Sequence, residues 1–197
     1  LNIKRGLVTV SADHDWVAKI DVTGLQAGAS YVFGFLGPDG EASRVGLTET
    51  PPAEDADVEQ VQFAVFSCSH FSNGYFHAYD IASTLSELDF WIHMGDYIYE
   101  YGMYSSYATD AKDRFEMTDP IWEIVDLNDY RRRYAQYHTD EGLQNLRARA
   151  PQMSVRMMYT MWCWWPSSFC PKPQNEQSLL QRRKKRLIDE EFANRKR

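Results

Sequence analysis

The chain has 197 residues, of which 44% are hydrophobic and 14% aromatic, enough to fill a core and to exclude disorder over the first 150 positions. No apolar run reaches the roughly 20 residues needed to cross a bilayer, and no signal peptide opens the sequence. The net charge of −7 is unevenly shared: residues 1–150 hold 24 acidic and 11 basic side chains, whereas residues 151–197 hold 4 and 10.

Residues 1–50 read as β structure. Leu7-Val8-Thr9-Val10 is a short predicted strand. Trp16, Ala18, Ile20 and Val22 alternate with Val17, Lys19 and Asp21, the pattern of a half-buried strand. After a turn at Gln26-Ala27-Gly28, Tyr31, Phe33 and Phe35 alternate again, Gly37-Pro38-Asp39-Gly40 is a hairpin turn, and Val45 to Thr48 form a last strand. This spacing predicts half of a β-sandwich, similar to a fibronectin- or immunoglobulin-like module that lacks its first strands. Leu1 enters in mid-pattern, so the chain is expected to be a piece of a longer one. Residues 51–60, PPAEDADVEQ, are a linker with two prolines and four acidic groups.

The period then changes. VQFAVFSCSH over 61–70 predicts a strand ending in a thiol, Cys68. A loop, FSNG, precedes a helix over 75–88 with Phe76, Tyr79, Ile81, Leu85 and Leu88 near one face. Phe90-Trp91-Ile92-His93-Met94 is a second strand, giving a β-α-β unit with a parallel crossover. Gly95 breaks that strand and presents Asp96 at once, with Tyr99 three residues on. Residues 103–125 are a loop, and residues 127–150 are helical with a break near Thr139 to Gly142, where Asp140 is placed to cap the second piece.

From Gln152 the texture shifts. MSVRMMYTMWCWWPSSFC holds four of the seven methionines and three of the six tryptophans with no strand or helix period, and a basic segment follows. The three cysteines, Cys68, Cys163 and Cys170, argue against a disulfide framework, and the spacing of the last two makes a poor zinc site. The basic runs at 182–186 and 195–197 lack interleaved aromatics, so no nucleic-acid partner is expected.

A carboxylate just past the carboxyl end of a strand lies where open α/β sheets bind ligands and metals. Cys68 ends one strand, and Asp96 with Tyr99 follows another. Thiolate, carboxylate and phenolate together suit a hard, highly charged cation, and such a centre activates water against a phosphoryl group. The plainer alternatives are a buried inert cysteine, a turn-capping aspartate and a packed tyrosine cluster. His70 is expected beside the site, His77 at a helix start and His93 in the core. Arg131, Arg132 and Arg133 are expected on a solvated helix face.

Three strings carry a resemblance: FAVFSCSHFSNGYFHAYDIAS, DFWIHMGDYIYEYG and DLNDYRRRYAQYHTDEGLQNLRARAP. Together they resemble the PhoD-like alkaline phosphatase/phosphodiesterase family of calcineurin-like metallophosphoesterases, and the segment DVTGLQAGASYVFGF is similar to that family's N-terminal domain. The resemblance covers about residues 7–151. It implies ferric iron held by Cys68 and Tyr99, with Asp96 bridging iron to calcium. It also implies a phosphate-ester substrate and a full-length protein in the periplasm, at the cell surface or secreted. The family's Trp-Asp-Asp-His-Glu motif and C-terminal aspartate and histidine ligands are not found. Met157-Met158 stands near the expected aspartate pair, as a change of reading frame from about Gln152 would produce. The expected architecture is therefore α/β: a partial β-sandwich over 1–50, a linker over 51–60, a partial metallophosphoesterase sheet over 61–151 and an atypical tail over 152–197. The fragment is expected to be a phosphoesterase with little or no activity; the rival reading is a non-catalytic binding or structural fragment.

Overall fold

The computed structural model describes residues 3–103, 114 and 116–155. It is a mixed α/β structure with two small sheets. The first pairs β1 (Ser30–Phe33) with β2 (Gly46–Glu49) antiparallel, Ser30 opposite Glu49 and Phe33 opposite Gly46. Beyond it, Leu36 bridges Ala42 around the predicted turn, closed by Gly37 N–H to Glu41 O at 2.8 Å and Gly40 N–H to Gly37 O at 3.1 Å.

The strands expected over 7–10 and 16–22 do not form. That stretch holds one 3-10 turn, Ala12–His14, and Leu7, Val17, Ile20 and Val22 are all exposed. Alternation makes a strand only where a second surface receives the apolar side, and the described residues supply no opposing sheet. The observed unit is a two-stranded ribbon, and half a β-sandwich is not seen.

The second sheet is parallel, in the order β3-β4-β5, with β3 at Phe63–Phe66, β4 at Phe90–His93 and β5 at Gln152–Ser154. Helix α1 (His77–Ser83) links β3 to β4. Helices α2 (Leu127–Tyr137) and α3 (Glu141–Arg149) precede β5. The predicted β-α-β unit and the broken helix are both present, although α1 is shorter than expected. Ile81 and Leu85, read as core, are exposed, while Tyr79 and Leu88 are buried. The predicted cap forms, Asp140 Oδ1 accepting from Leu143 N–H at 2.8 Å, and α2 has a second cap the sequence reading did not name, Asp126 Oδ1 accepting from Asp129 N–H at 2.9 Å. Helix α3 stops at Ala150, whose extended backbone (φ −151°, ψ 154°) is what the following Pro151 demands.

β5 falls inside the segment expected to be an atypical tail. Gln152, Met153 and Ser154 pair with Trp91, Ile92 and His93, and Val155 N–H reaches His93 O at 2.9 Å. The sheet therefore continues past the expected boundary at residue 151. The signal was weak because only one face of this edge strand is covered. The remainder of the tail, with Cys163, Cys170 and both basic runs, lies outside the described residues.

One face of the parallel sheet carries the helices. Tyr79 and Ala82 of α1, Leu143 and Leu146 of α3, Leu88, Trp91 and Ala150 form a buried cluster with Ala64 and Phe66 packed against it. A second cluster, Phe71, Ile98, Ile124, Tyr130 and Tyr137, seats α2 under the loops that leave the strands. Phe76 and Tyr97 touch both clusters. Gly142 permits the approach of α3 to α1, since a Cβ there would lie 2.7 Å from Phe76 O. The opposite face stays open, with Phe63, Val65 and Met153 each about half exposed.

Candidate metal centre at two strand ends

The ladder between β3 and β4 runs on into the loops that follow them. Met94 N–H donates to Phe66 O at 2.8 Å, Cys68 N–H to Gly95 O at 3.2 Å and Ser69 N–H to Asp96 O at 3.0 Å. These bonds hold the two strand ends side by side. Gly95 takes φ 125°, a conformation open to glycine, and so turns the chain directly after the strand. Four described non-glycine residues have positive φ: Asp15, Trp16, Cys68 (59°) and Asp96 (50°). Two of these four are the residues selected from the sequence for their chemistry. Strain of about 1–2 kcal/mol at each is retained where the surroundings fix it and where it aims a side chain.

The three candidate donors meet. Asp96 Oδ2 lies 3.8 Å from Cys68 Sγ and accepts the Tyr99 hydroxyl at 3.2 Å. Cys68 is exposed and unbridged, and Asp96 and Tyr99 are half-buried. The Tyr99 phenol is held well above its ordinary range, first by burial, then by its hydrogen bond with Cys68 and the Asp96 charge. Burial and the neighbouring Cys68 and Asp96 disfavour the Tyr99 phenolate, and a cation placed among the three groups would remove that opposition. Among the described residues no three His, Cys, Asp or Glu side chains gather as a metal site, and the third group beside Cys68 and Asp96 is the Tyr99 phenol. A thiol, a carboxylate and a phenol converging on one oxygen fit a hard trivalent ion.

The histidines take different places. His70 lies tilted against Tyr99, with ring centroids 4.8 Å apart, and stacked near Tyr101 at 6.1 Å. Both its ring nitrogens are buried and without a hydrogen-bond partner. His77 opens α1. His93 is fully buried beneath the site, where Nδ1 accepts from Gly95 N–H at 3.3 Å and Nε2 meets Ser69 Oγ at 3.0 Å; Ser69 Oγ also contacts the Tyr79 hydroxyl. Burial lowers His93 to about 4, so it stays neutral at ordinary pH and orders the turn that carries Asp96.

The three arginines do not share one solvated face. Arg131 donates to Asp13 O at 2.8 Å, and Arg132 pairs with Asp119 and lies over the Trp122 ring. Arg133 is buried and donates to Tyr99 O, Tyr101 O, Asp119 O and Pro120 O at 2.6–2.9 Å. Its role, and that of Tyr137 four residues on, went unread in the sequence. The i, i+4 spacing of a guanidinium and a phenol on one face of a tyrosine-rich helix was the available signal.

The family model described as PhoD-like phosphatase matches residues 63–156. Alkaline phosphatase D of Bacillus subtilis (strain 168) is 38% identical over 132 residues, which is 67% of this chain and 22% of that protein. A solved structure described as that of PhoD superposes with a TM-score of 0.65 at 35% identity, covering 74% of this chain and 27% of the other. The chain thus spans about a quarter of the length of the relatives it matches. No helix among the described residues is long and apolar enough to cross a membrane. Over residues 63–156 the chain belongs to the PhoD-like phosphatase family.

Proposed function

We propose that the chain carries one part of the metal centre of a phosphoric-ester hydrolase acting on phosphomonoesters or phosphodiesters, in a protein that works in the periplasm, at the cell surface or after secretion. Cys68, Asp96 and Tyr99 would hold ferric iron, and Asp96 would bridge it to calcium. When bound, the two ions would polarise a phosphoryl oxygen and favour attack by water. The residues' own part is to hold the donors in place. Tyr99 keeps Asp96 oriented through its hydroxyl, and His70 shields one face of the Tyr99 ring. The two-stranded ribbon would be one edge of an N-terminal β module.

The observation that carries this reading is the meeting of a thiol, a carboxylate and a phenol at two hydrogen-bonded strand ends, with Cys68 and Asp96 both in left-handed backbone. Three donors from two strand ends hold a cation, but they do not surround a transferring phosphoryl group with fixed charge. This chain should therefore bind iron and turn over p-nitrophenyl phosphate at close to the buffer rate, even with iron and calcium added. Equilibrium dialysis should find about one ferric ion per chain, lost in Asp96→Asn. Equal uptake by wild type and variant would remove the metal reading. Turnover far above buffer that Asp96→Asn abolishes would show instead that the centre is complete.

A further inference from the structure

Helix α2 holds both loops of the site through two residues one turn apart. The hydroxyl oxygen of Tyr137 accepts the N–H of Phe71 at 3.1 Å and the N–H of Tyr99 at 3.1 Å. Phe71 lies three residues after Cys68 in the loop from β3, and Tyr99 lies in the loop from β4. One buried oxygen thus joins the two chain segments that carry the donors. Both its lone pairs are used, each by a different loop. Arg133 takes the other side of Tyr99, since its Nη1 donates to Tyr99 O at 2.6 Å and to Tyr101 O at 2.9 Å. The peptide groups on both sides of the Tyr99 Cα are therefore fixed by α2, which leaves the phenol little freedom beyond its own side-chain rotation.

Packing does not require the oxygen. The Tyr137 ring fills the space against Phe71 and Phe76, with centroids 5.5 Å and 5.9 Å away, and a phenylalanine would fill the same space. Tyr137 is 1% exposed, and in that closed position its hydroxyl meets the N–H groups of the two loops. Burial pushes its ionisation up to about 12, so it remains a neutral acceptor at ordinary pH.

We propose that Tyr137, with Arg133, is a positioning residue that sets the separation of the Cys68 loop from the Tyr99 loop and thereby the fit of the donor set to a ferric ion. The inference rests on the metal reading of Cys68, Asp96 and Tyr99. Residues that orient metal ligands without touching the metal commonly change affinity by 10–100-fold when altered.

The test uses the whole 197-residue chain and Tyr137→Phe, titrated with ferric citrate and followed by the visible phenolate-to-iron charge-transfer band. Amide hydrogen exchange is read without metal. Tyr31→Phe is the matched control, because it removes a phenol oxygen that accepts a backbone N–H, that of Gln26, far from the site. In Tyr137→Phe, iron affinity should fall about tenfold or more with a shifted or weakened band, and the Phe71 and Tyr99 amides should exchange at least about tenfold faster. Tyr31→Phe should keep the wild-type affinity and band. Wild-type affinity and band in Tyr137→Phe would overturn the proposal while leaving the metal reading intact. A wild-type chain that binds no iron would remove the metal reading, and the positioning role with it; amide exchange then decides only whether the clamp joins the loops, which unchanged rates would refute. If Tyr137→Phe does not fold, Arg133→Lys, which loosens the carbonyl side of Tyr99 together with the bonds to Tyr101, Asp119 and Pro120, takes its place in the same titration and is judged by the same outcomes.

Discussion

Trp16 and Trp91 show how differently two regions of this chain use the same side chain. Trp91 lies in β4, is 0% exposed, packs edge-on against Phe66 with centroids 6.0 Å apart and donates its indole N–H to Ala150 O at 3.2 Å. Trp16 lies in the N-terminal segment, is 67% exposed and sits at positive φ. The difference extends to the whole of each region. Every buried hydrophobic residue described falls between Phe71 and Ala150, and the ribbon before residue 50 contributes none. The segment before residue 50 touches the larger unit through polar groups, such as Arg44 of the ribbon to Asn145 and Asp13 O of the 3-10 turn, which accepts from Arg131. Apolar alternation is thus present in both regions, but it gives ordered, buried structure only where helices cover the sheet.

The largest test of this contrast exchanges the two tryptophans for alanine. Trp91→Ala should lower unfolding stability by about 3–5 kcal/mol, and Trp16→Ala should change it by less than about 0.5 kcal/mol, as read from urea unfolding midpoints. A large loss from Trp16→Ala would mean that the N-terminal segment shares a core. Next comes Asp140, which caps α3 and pairs with Arg114 in a buried setting beneath the rings of Phe71, Tyr75 and Phe76. Asp140→Ala should cost about 3 kcal/mol, because it removes the cap and leaves a buried guanidinium without its carboxylate. A loss below about 1 kcal/mol would show that Arg114 contributes nothing beyond packing.

The gentlest perturbation leaves the sequence unchanged. His93 and His138 are each held at about 4, first by burial, against 6.5 in the unfolded chain. The unfolded state therefore takes up protons first. The stability these groups permit is intact above pH 6.5 and is lost as pH falls from 6.5 toward 4, by up to roughly 3 kcal/mol for each fully shielded imidazole. Thermal midpoints at pH 7.5, 6 and 4.5 should fall progressively, and less steeply in His93→Gln. A flat profile across that window would mean that neither imidazole is shielded as the fold implies.

What the sequence disclosed follows the same division. The β-α-β unit, the helix break and the Asp140 cap were readable because period, capping chemistry and Pro151 are local signals. Cys68, Asp96 and Tyr99 were readable because each stands at or just past an apolar run, where a strand must end. The N-terminal strands were misread because alternation records a readiness to be covered and says nothing about whether a cover exists. β5 was passed over because Gln-Met-Ser has no apolar period, and its pairing with β4 depends on where α3 delivers the chain. Arg133 and Tyr137 were passed over because their partners are backbone groups of Tyr99, Tyr101 and Phe71, distant in sequence and invisible in side-chain identity.

The left-handed backbone at Cys68 and Asp96 bears on how this chain could be stabilised. Both places favour glycine by about 1 kcal/mol or more on conformational grounds. Selection for thermal robustness alone would drift toward glycine at both and erase the thiol and the carboxylate together. A programme of stabilising substitutions chosen on backbone conformation alone would place glycine at both positions and so remove the thiol and the carboxylate proposed as metal donors.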